Sequence, residues 1–311
     1  MTAPKSPPET STQWKAEGNL VLREVTLPGD LLAARDLLSR AVPSDYLLPN
    51  LEEWMAQPWV LGIFRGETLL GILRLEDLGE GEGWLNAIRI APEDRGRGLG
   101  LLLTRFALAR ARERGIHTVR LTVEEGNAAS HALVKRAGGL PRWVAGVYRA
   151  RPDPRALGSA REIPEAASMD HDARLDPSSL EWIRRQAGLL CCSISGSFRL
   201  VQATERRLRE AVRAGRFWRG TRTGFLADPP PPPHPVGPRG EDRVREAIPL
   251  QPLWGPLEEI LGQAARRGFP GTSEFQGFLP DDPDVWEVNP ACGLRRGDPW
   301  GYRVVVYEVS T

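Results

Sequence analysis

Arg95-Gly96-Arg97-Gly98-Leu99-Gly100 lies between a run with strand periodicity and a run with helix periodicity, and that order constrains the fold more than anything else in the chain. Upstream, residues 84–90 alternate so that Trp84, Asn86, Ile88 and Ile90 share one face, and Ala91-Pro92 closes the run. Downstream, Leu99, Leu102, Leu103, Phe106 and Ala109 recur at helical spacing as far as Gly115, a natural residue to follow a helix end. Gly96, Gly98 and Gly100 remove side chains that would hold the backbone away from an anion. The helix start then offers unpaired N–H groups at the positive end of its dipole. Arg95 and Arg97 add charge, so the stretch reads as a grip for the diphosphate of a coenzyme, with an ordinary glycine-rich turn as the competing reading. The spacing is not the dinucleotide fingerprint G-x-G-x-x-G, and no Walker lysine with Ser/Thr follows.

The arrangement resembles the acetyl-CoA loop of the GNAT superfamily of N-acetyltransferases, Arg/Gln-x-x-Gly-x-Gly/Ala, with Arg95, Gly98 and Gly100 in its fixed places. Ile90-Ala91-Pro92 ends the preceding strand in the family's manner, and the next strand, 117–123, leads to Asn127. The segment 127–139 is similar to the family's second signature, Asn-x-x-Ala-x-x-Leu-Tyr-x-x-x-Gly-Phe, matching at Asn127, Leu133 and Gly138. It departs from it at Ser130, at Val134 (usually Tyr) and at Gly139 (usually Phe). The resemblance covers roughly residues 15–150.

That resemblance implies direct transfer of an acetyl group from acetyl-CoA to a primary amine in a ternary complex, the coenzyme lying where two neighbouring strands splay apart. It implies coenzyme contacts from Ile88, Ile90, Arg95, Gly96, Arg97, Gly98, Leu99, Gly100, Leu101 and Asn127. Asn127 also reads as a helix N-cap, and the two roles are compatible. Glu124, at the end of a strand, is a candidate base, and Asn86 could orient a water; each also fits an ordinary structural place. The family's tyrosine protonates the departing thiolate, and with Val134 in its place His131, Tyr148 or a water is left for that task. The acceptor is expected to be a small-molecule or peptide amine. Trp54, Trp59, Trp84 and Trp143 fit either an acceptor pocket or the core. A non-catalytic acyl-CoA-binding sensor is the alternative function, and a nucleotide-binding α/β protein ranks last because the loop comes late with the wrong spacing.

At 311 residues the chain is long enough for two domains. A net charge of +1 gives no electrostatic case for nucleic acid. The 3 cysteines, Cys191, Cys192 and Cys292, are too few for a disulfide framework and show no metal-ligand spacing, so no metal site is expected. No secretory signal and no run of about twenty apolar residues is present, and a cytoplasmic protein, monomer or homodimer, is the expectation.

The expected fold is α/β, an α+β mixed sheet: two GNAT-like domains in tandem, each a mostly antiparallel mixed sheet flanked by helices. Residues 1–14 read as a disordered tail, 15–150 as the catalytic domain, 151–178 as a linker and 179–311 as a degenerate GNAT-like domain. Within the first domain a strand is expected over 19–27, helices over 30–41 (Asp30 as N-cap) and 51–56, and strands over 59–64 and 68–78.

The second half repeats the first faintly. Leu208–Val212 with Phe217-Trp218 corresponds to Leu51–Met55 with Trp59-Val60, and Ala247–Leu250 to Ala87–Ile90. A helix over 256–267, Gly293-Leu294 and the run from Trp300 to Tyr307 complete the correspondence. Between Leu250 and Gly268 the copy is seven positions shorter than between Ile90 and Gly115, about the length of the glycine loop, and Gln251-Pro252-Leu253-Trp254-Gly255 stand in its place. The resemblance therefore implies a second module that supports the first without holding CoA. The proline run over 228–235 reads as a stiff loop rather than a docking motif.

Overall fold

The computed structural model describes residues 13–16, 19–150, 189–194, 197–214, 217–219, 224–227, 248–254, 275–280 and 303–311. The linker over 151–178, the proline run, the helix over 256–267 and the stretch from Gly293 to Trp300 lie outside them. Two compact units result: one runs up to Arg142 and takes in Val306–Thr311, and the other is Trp143–Val305.

In the first unit the strand order is β1 (Gln13–Ala16), β2 (Leu20–Glu24), β3 (Val60–Arg65), β4 (Thr68–Asp77), β5 (Glu82–Ile90), β6 (Thr118–Glu124) and β14 (Arg303–Ser310), the last contributing from Val306 on. Strands β1 to β5 pair antiparallel in sequence order, and β6 runs parallel to β5. Gln13 and Trp14, the end of the polar amino-terminal stretch, pair with Arg23 and Leu22.

One face of this sheet is covered by α1 (Leu31–Ala41) and α2 (Leu51–Met55). Ala34, Leu37, Leu38, Leu51 and Met55 pack there on Val60, Phe64, Leu69, Ile72 and Ala87. Burying each large side chain of this kind is worth roughly 1.5–3 kcal/mol, and β3 and β4 are buried at nearly every position, as expected of strands covered on both faces. Asp30 stands at the N-cap position of α1 but does not cap it. Its carboxylate accepts from Thr26 N at 2.8 Å and pairs with Arg23 at 2.7 Å, fixing the approach to the helix instead.

Helices α3 (Leu99–Glu113) and α4 (Ala128–Arg136) complete the unit. The buried face of α3 includes Leu99, Leu101, Leu103, Thr104, Phe106, Ala107 and Ala111, wider than the stripe the sequence suggests, with Leu102 and Ala109 only half-buried. Past α3, Gly115 has φ 74° and Ile116 N returns to Ala111 O at 3.0 Å, the closure expected of a left-handed residue after a helix. Past α4, Gly139 N returns to Val134 O at 2.9 Å in the same manner.

In the second unit, β10 (Phe217–Arg219), β11 (Gly224–Ala227) and β12 (Ile248–Trp254) are antiparallel neighbours. β13 (Phe275–Pro280) lies parallel to β12, and residues 145–150 of β7 (Leu140–Ala150) pair antiparallel with β13. A separate hairpin joins β8 (Leu189–Ile194) to β9 (Ser197–Gln202), followed by helix α5 (Glu205–Arg213).

Candidate coenzyme-binding site

Strand β5 is not a regular strand. Its pairing with β4 steps from Ile72↔Arg89 to Arg74↔Asn86, two residues against three, and Ala87 sits at φ 56°. This is a bulge, and it reverses the alternation. Trp84, Asn86, Ile88 and Ile90 therefore do not share a face, as their period suggests. Asn86 points with Glu76, to whose Oε1 its side-chain amide donates. Ala87 joins the α1 and α2 core, whereas Ile90 has crossed to the other side, where a Cβ on Gly71 would meet its Cδ1 at 2.5 Å. Arg89, on the α1 and α2 side, is held by Asp45 at 2.7 Å, and Asp45 is wholly enclosed. Burial alone would weaken the charge on Arg89, but the hydrogen bonds and charge of Asp45 outweigh it and hold the guanidinium above its ordinary pKa.

Beside the bulge the sheet opens. β5 and β6 share only the positions Glu82↔Thr118, Gly83↔Val119 and Trp84↔Arg120. Among the described residues, β5 from Leu85 onward has no ladder partner on its β6 side and Leu121–Glu124 has none toward β5, so two strands diverge and leave main-chain groups facing the gap.

At the wide end stands the glycine loop. Pro92–Asp94 forms one 3-10 turn, Gly96 and Gly98 take φ 74° and 83°, and α3 begins at Leu99. A side chain at either glycine would force a conformation that L-residues disfavour by roughly 1–2 kcal/mol. A Cβ at Gly96 or Gly98 would meet nothing within 4 Å, so the space before the loop is open. Arg95 N donates to Pro92 O, and the next amide with a protein partner is Leu102 N, which donates to Gly98 O at 3.0 Å. Among the described residues the amides of Gly96, Arg97, Gly98, Leu99, Gly100 and Leu101 thus have no carbonyl to donate to, at the positive end of a fifteen-residue helix.

The loop arginines are placed differently from one another. Arg95 ties the loop to the end of α1: its Nη2 donates to Ala41 O at 2.6 Å and its Nε to Ile90 O at 3.2 Å. Arg40 of α1 also meets Glu93. Arg97 pairs with the buried Asp94 at 3.0 Å but is 62% exposed, so it remains available at the rim. Leu133 of α4 and Ile90 close on Gly100 at 3.6 and 3.7 Å from where its Cβ would be, bringing α4 alongside the loop.

Asn127 caps α4, its Oδ1 accepting from Ser130 N at 3.0 Å. Glu124 is exposed at the end of β6. His131, on the first turns of α4, approaches Glu125 O with Nε2 at 3.1 Å and the Tyr307 hydroxyl with Nδ1 at 2.9 Å. Val134 is buried, and a Cβ on Gly139 would come within 2.4 Å of its Cγ1, so two of the three departures from the family signature, Val134 and Gly139, are packed against each other. The side chain of Tyr148 lies outside the described residues. Trp84 is a core residue at 3% exposure, and Trp59 lies under the Arg114 guanidinium at 4.1 Å. Tyr307 is the residue that sequence reading did not bring to this site, because it lies 176 positions from its partner and no local pattern joins them.

Residues 31–139 match the acetyltransferase (GNAT) family, the span that holds the loop, the bulged strand and α4. Over that span the first unit is similar to GNAT-family acetyltransferase domains. The chain is 33% identical over 130 residues to a mycothiol acetyltransferase of Thermobispora bispora, covering 38% of this chain and 44% of that protein. It is 38% identical over 53 residues to an L-methionine sulfoximine/L-methionine sulfone acetyltransferase of Pseudomonas paraeruginosa, covering 17% of this chain and 31% of that one. The match spans less than half the length of these relatives. A GCN5-related N-acetyltransferase structure from Sphaerobacter thermophilus superposes with a TM-score of 0.54 at 14% identity, covering 94% of this chain and 96% of that one, a likeness of fold.

Proposed function

We propose that the protein is an N-acetyltransferase that binds acetyl-CoA in the first unit and transfers its acetyl group directly to a primary amine. The row of unpartnered amides from Gly96 to Leu101, facing open space beside diverging strands, carries this reading. These amides and Arg97 hold the diphosphate, while Ile88, Ile90 and the free edge of β5 guide the pantetheine arm toward the bulge. Main-chain N–H groups there polarise the thioester carbonyl as the amine attacks. Glu124, or a water held by Asn86, receives the amine proton, and Asn127 reaches the coenzyme arm with the amide group its capping role leaves over. Relatives named for mycothiol and for L-methionine sulfoximine or sulfone support a small acceptor. Among the described residues no helix is long and apolar enough to cross a membrane, and we place the reaction in the cytoplasm.

The second unit we read as a degenerate copy. Its order β10-β11-β12-β13 has the same strand senses as β3-β4-β5-β6, two antiparallel pairs and then a parallel one. An acyl-CoA sensor without turnover is the second reading, favoured by Val134 in the place of the usual acid. Calorimetric titration with acetyl-CoA followed by thiol release over a panel of primary amines separates the two. Binding with release supports the enzyme, binding with no release over any amine supports the sensor, and no binding removes both.

A further inference from the structure

We propose that Tyr307, delivered by the last strand of the chain, gives its proton to the coenzyme sulphur as the thioester breaks, with His131 as the residue that positions and reloads it. The inference rests on the acetyl-CoA reading above.

The register places the phenol. Thr311 N donates to His117 O at 3.2 Å, Thr311 Oγ1 donates to Ile116 O at 2.6 Å, and Glu308 pairs with Arg120 at 3.0 Å. These contacts run in opposite senses along the two segments, and one further step puts Tyr307 abreast of Leu121. Leu121 is the first residue of β6 beyond its last rung with β5, which is where the gap opens. Glu308 and Glu82 both reach Arg120 on one side of the sheet, so the neighbouring Tyr307 faces the other side, that of α4, where it meets His131. Leu133, on the same helix, touches the start of α3 at Gly100. The phenol is thus set between the diphosphate loop and the apex of the splay.

The ring chemistry sets which form of His131 the transfer needs, the one with hydrogens on both nitrogens. A carbonyl oxygen only accepts, so the contact of His131 Nε2 with Glu125 O assigns a hydrogen to Nε2 and leaves Nδ1 as the nitrogen that exchanges protons with Tyr307. Tyr307 is 2% exposed, and His131 Nδ1 is its hydroxyl's one hydrogen-bond partner among the described residues. When Nδ1 carries a proton, the phenol oxygen accepts it and the O–H is free to turn to the gap. In the reaction the amine nitrogen bonds to the carbonyl carbon, the C–S bond breaks and its electron pair stays on sulphur. Sulphur takes the Tyr307 proton, and the phenol takes the proton from Nδ1. The ring is left as the Nε2–H form that Glu125 O holds, and water restores its second proton. The proton shed by the amine leaves separately.

A buried tyrosine that merely closes the strand would do none of this, and the acidity of bound CoA separates the cases. A donor aimed at sulphur stabilises the thiolate and lowers the pH at which it forms. The thiol of bound CoA is titrated by ultraviolet thiolate absorbance, with desulfo-CoA complexes as the blank, in wild type, Tyr307→Phe and His131→Asn. Phe keeps the buried ring, and calorimetry should show CoA affinities within a few-fold of one another. The expected result is a thiol roughly tenfold less acidic in Tyr307→Phe, about one pH unit higher, with a smaller shift in His131→Asn. Equal titration in all three complexes would overturn the role of Tyr307 while leaving coenzyme binding intact. Failure of wild type to bind CoA would remove the coenzyme reading itself, and this inference with it.

Discussion

Within the second unit β10–β13 pair in the senses that β3–β6 show within the first, yet the stretches after Leu250 and Ile90 differ. In the first, the chain leaves β5 at Ala91-Pro92, turns through left-handed Gly96 and Gly98, and opens a helix whose leading amides face outward. In the second, the stretch after Leu250 stays extended, with Gln251, Pro252 and Trp254 paired to β11. Strand order alone therefore does not make the site. A bulge, two residues able to take positive φ and an unpaired helix start make it, and these rest on a few side chains.

The deepest test of this contrast removes what the first unit borrows from the chain's far end. Ending the chain after Val305 deletes Val306, Tyr307 and Val309, all buried, at roughly 1.5–3 kcal/mol each. Set against a total of about 5–15 kcal/mol, that loss should abolish the cooperative thermal transition of the first unit along with CoA binding. A fragment ending near residue 150 should fail in the same way; a folded, CoA-binding fragment would show that β14 is dispensable.

Next in size is the support beneath the bulge. Asp45→Ala leaves Arg89 buried beside β5 without its partner and also removes the acceptor for Leu47 N, an expected cost of about 3–5 kcal/mol by chemical denaturation. Gly98→Val should cost roughly 1–2 kcal/mol in stability but lower CoA affinity by about ten- to a hundredfold, because the new side chain strains the turn and fills the space before the amides. A loss confined to stability would argue that the loop does not hold the ligand. Asn127→Ala, which removes the cap of α4, should cost about 0.5–2 kcal/mol.

The smallest expected effect is electrostatic. The hydrogen bond from Arg23 holds Asp30 below its ordinary carboxylate value, so the pair's contribution is complete above the unfolded value and fades as pH falls through the lower native one. Because Arg23 is one-third exposed, the amount is about 1 kcal/mol or less, lost below roughly pH 4. Asp30→Asn should flatten that acid limb in a stability–pH profile.

Much of the first unit is legible in the sequence because its signals are local. The stripe of α1, the strands on either side of Arg65-Gly66-Glu67, the Gly115 stop and the Asn127 cap each depend on residues within a few positions of one another. The bulge is not legible, since Ala87 carries no mark of a positive φ and the alternation reads straight through it. Nor is the part played by Arg95, whose contact with Ala41 O spans 54 positions, or the pairing of Tyr307 with His131 across 176. Long-range pairing of a final strand leaves no periodic trace near the residues it joins.

Calorimetric titration with acetyl-CoA and with S-acetylpantetheine, which lacks the diphosphate and the nucleotide beyond it, decides whether the amides from Gly96 to Leu101 grip the coenzyme. Acetyl-CoA should bind at least a hundredfold more tightly, a difference that Gly98→Val largely removes. Equal affinity for the two thioesters, or no affinity for either, would mean that these amides hold no diphosphate.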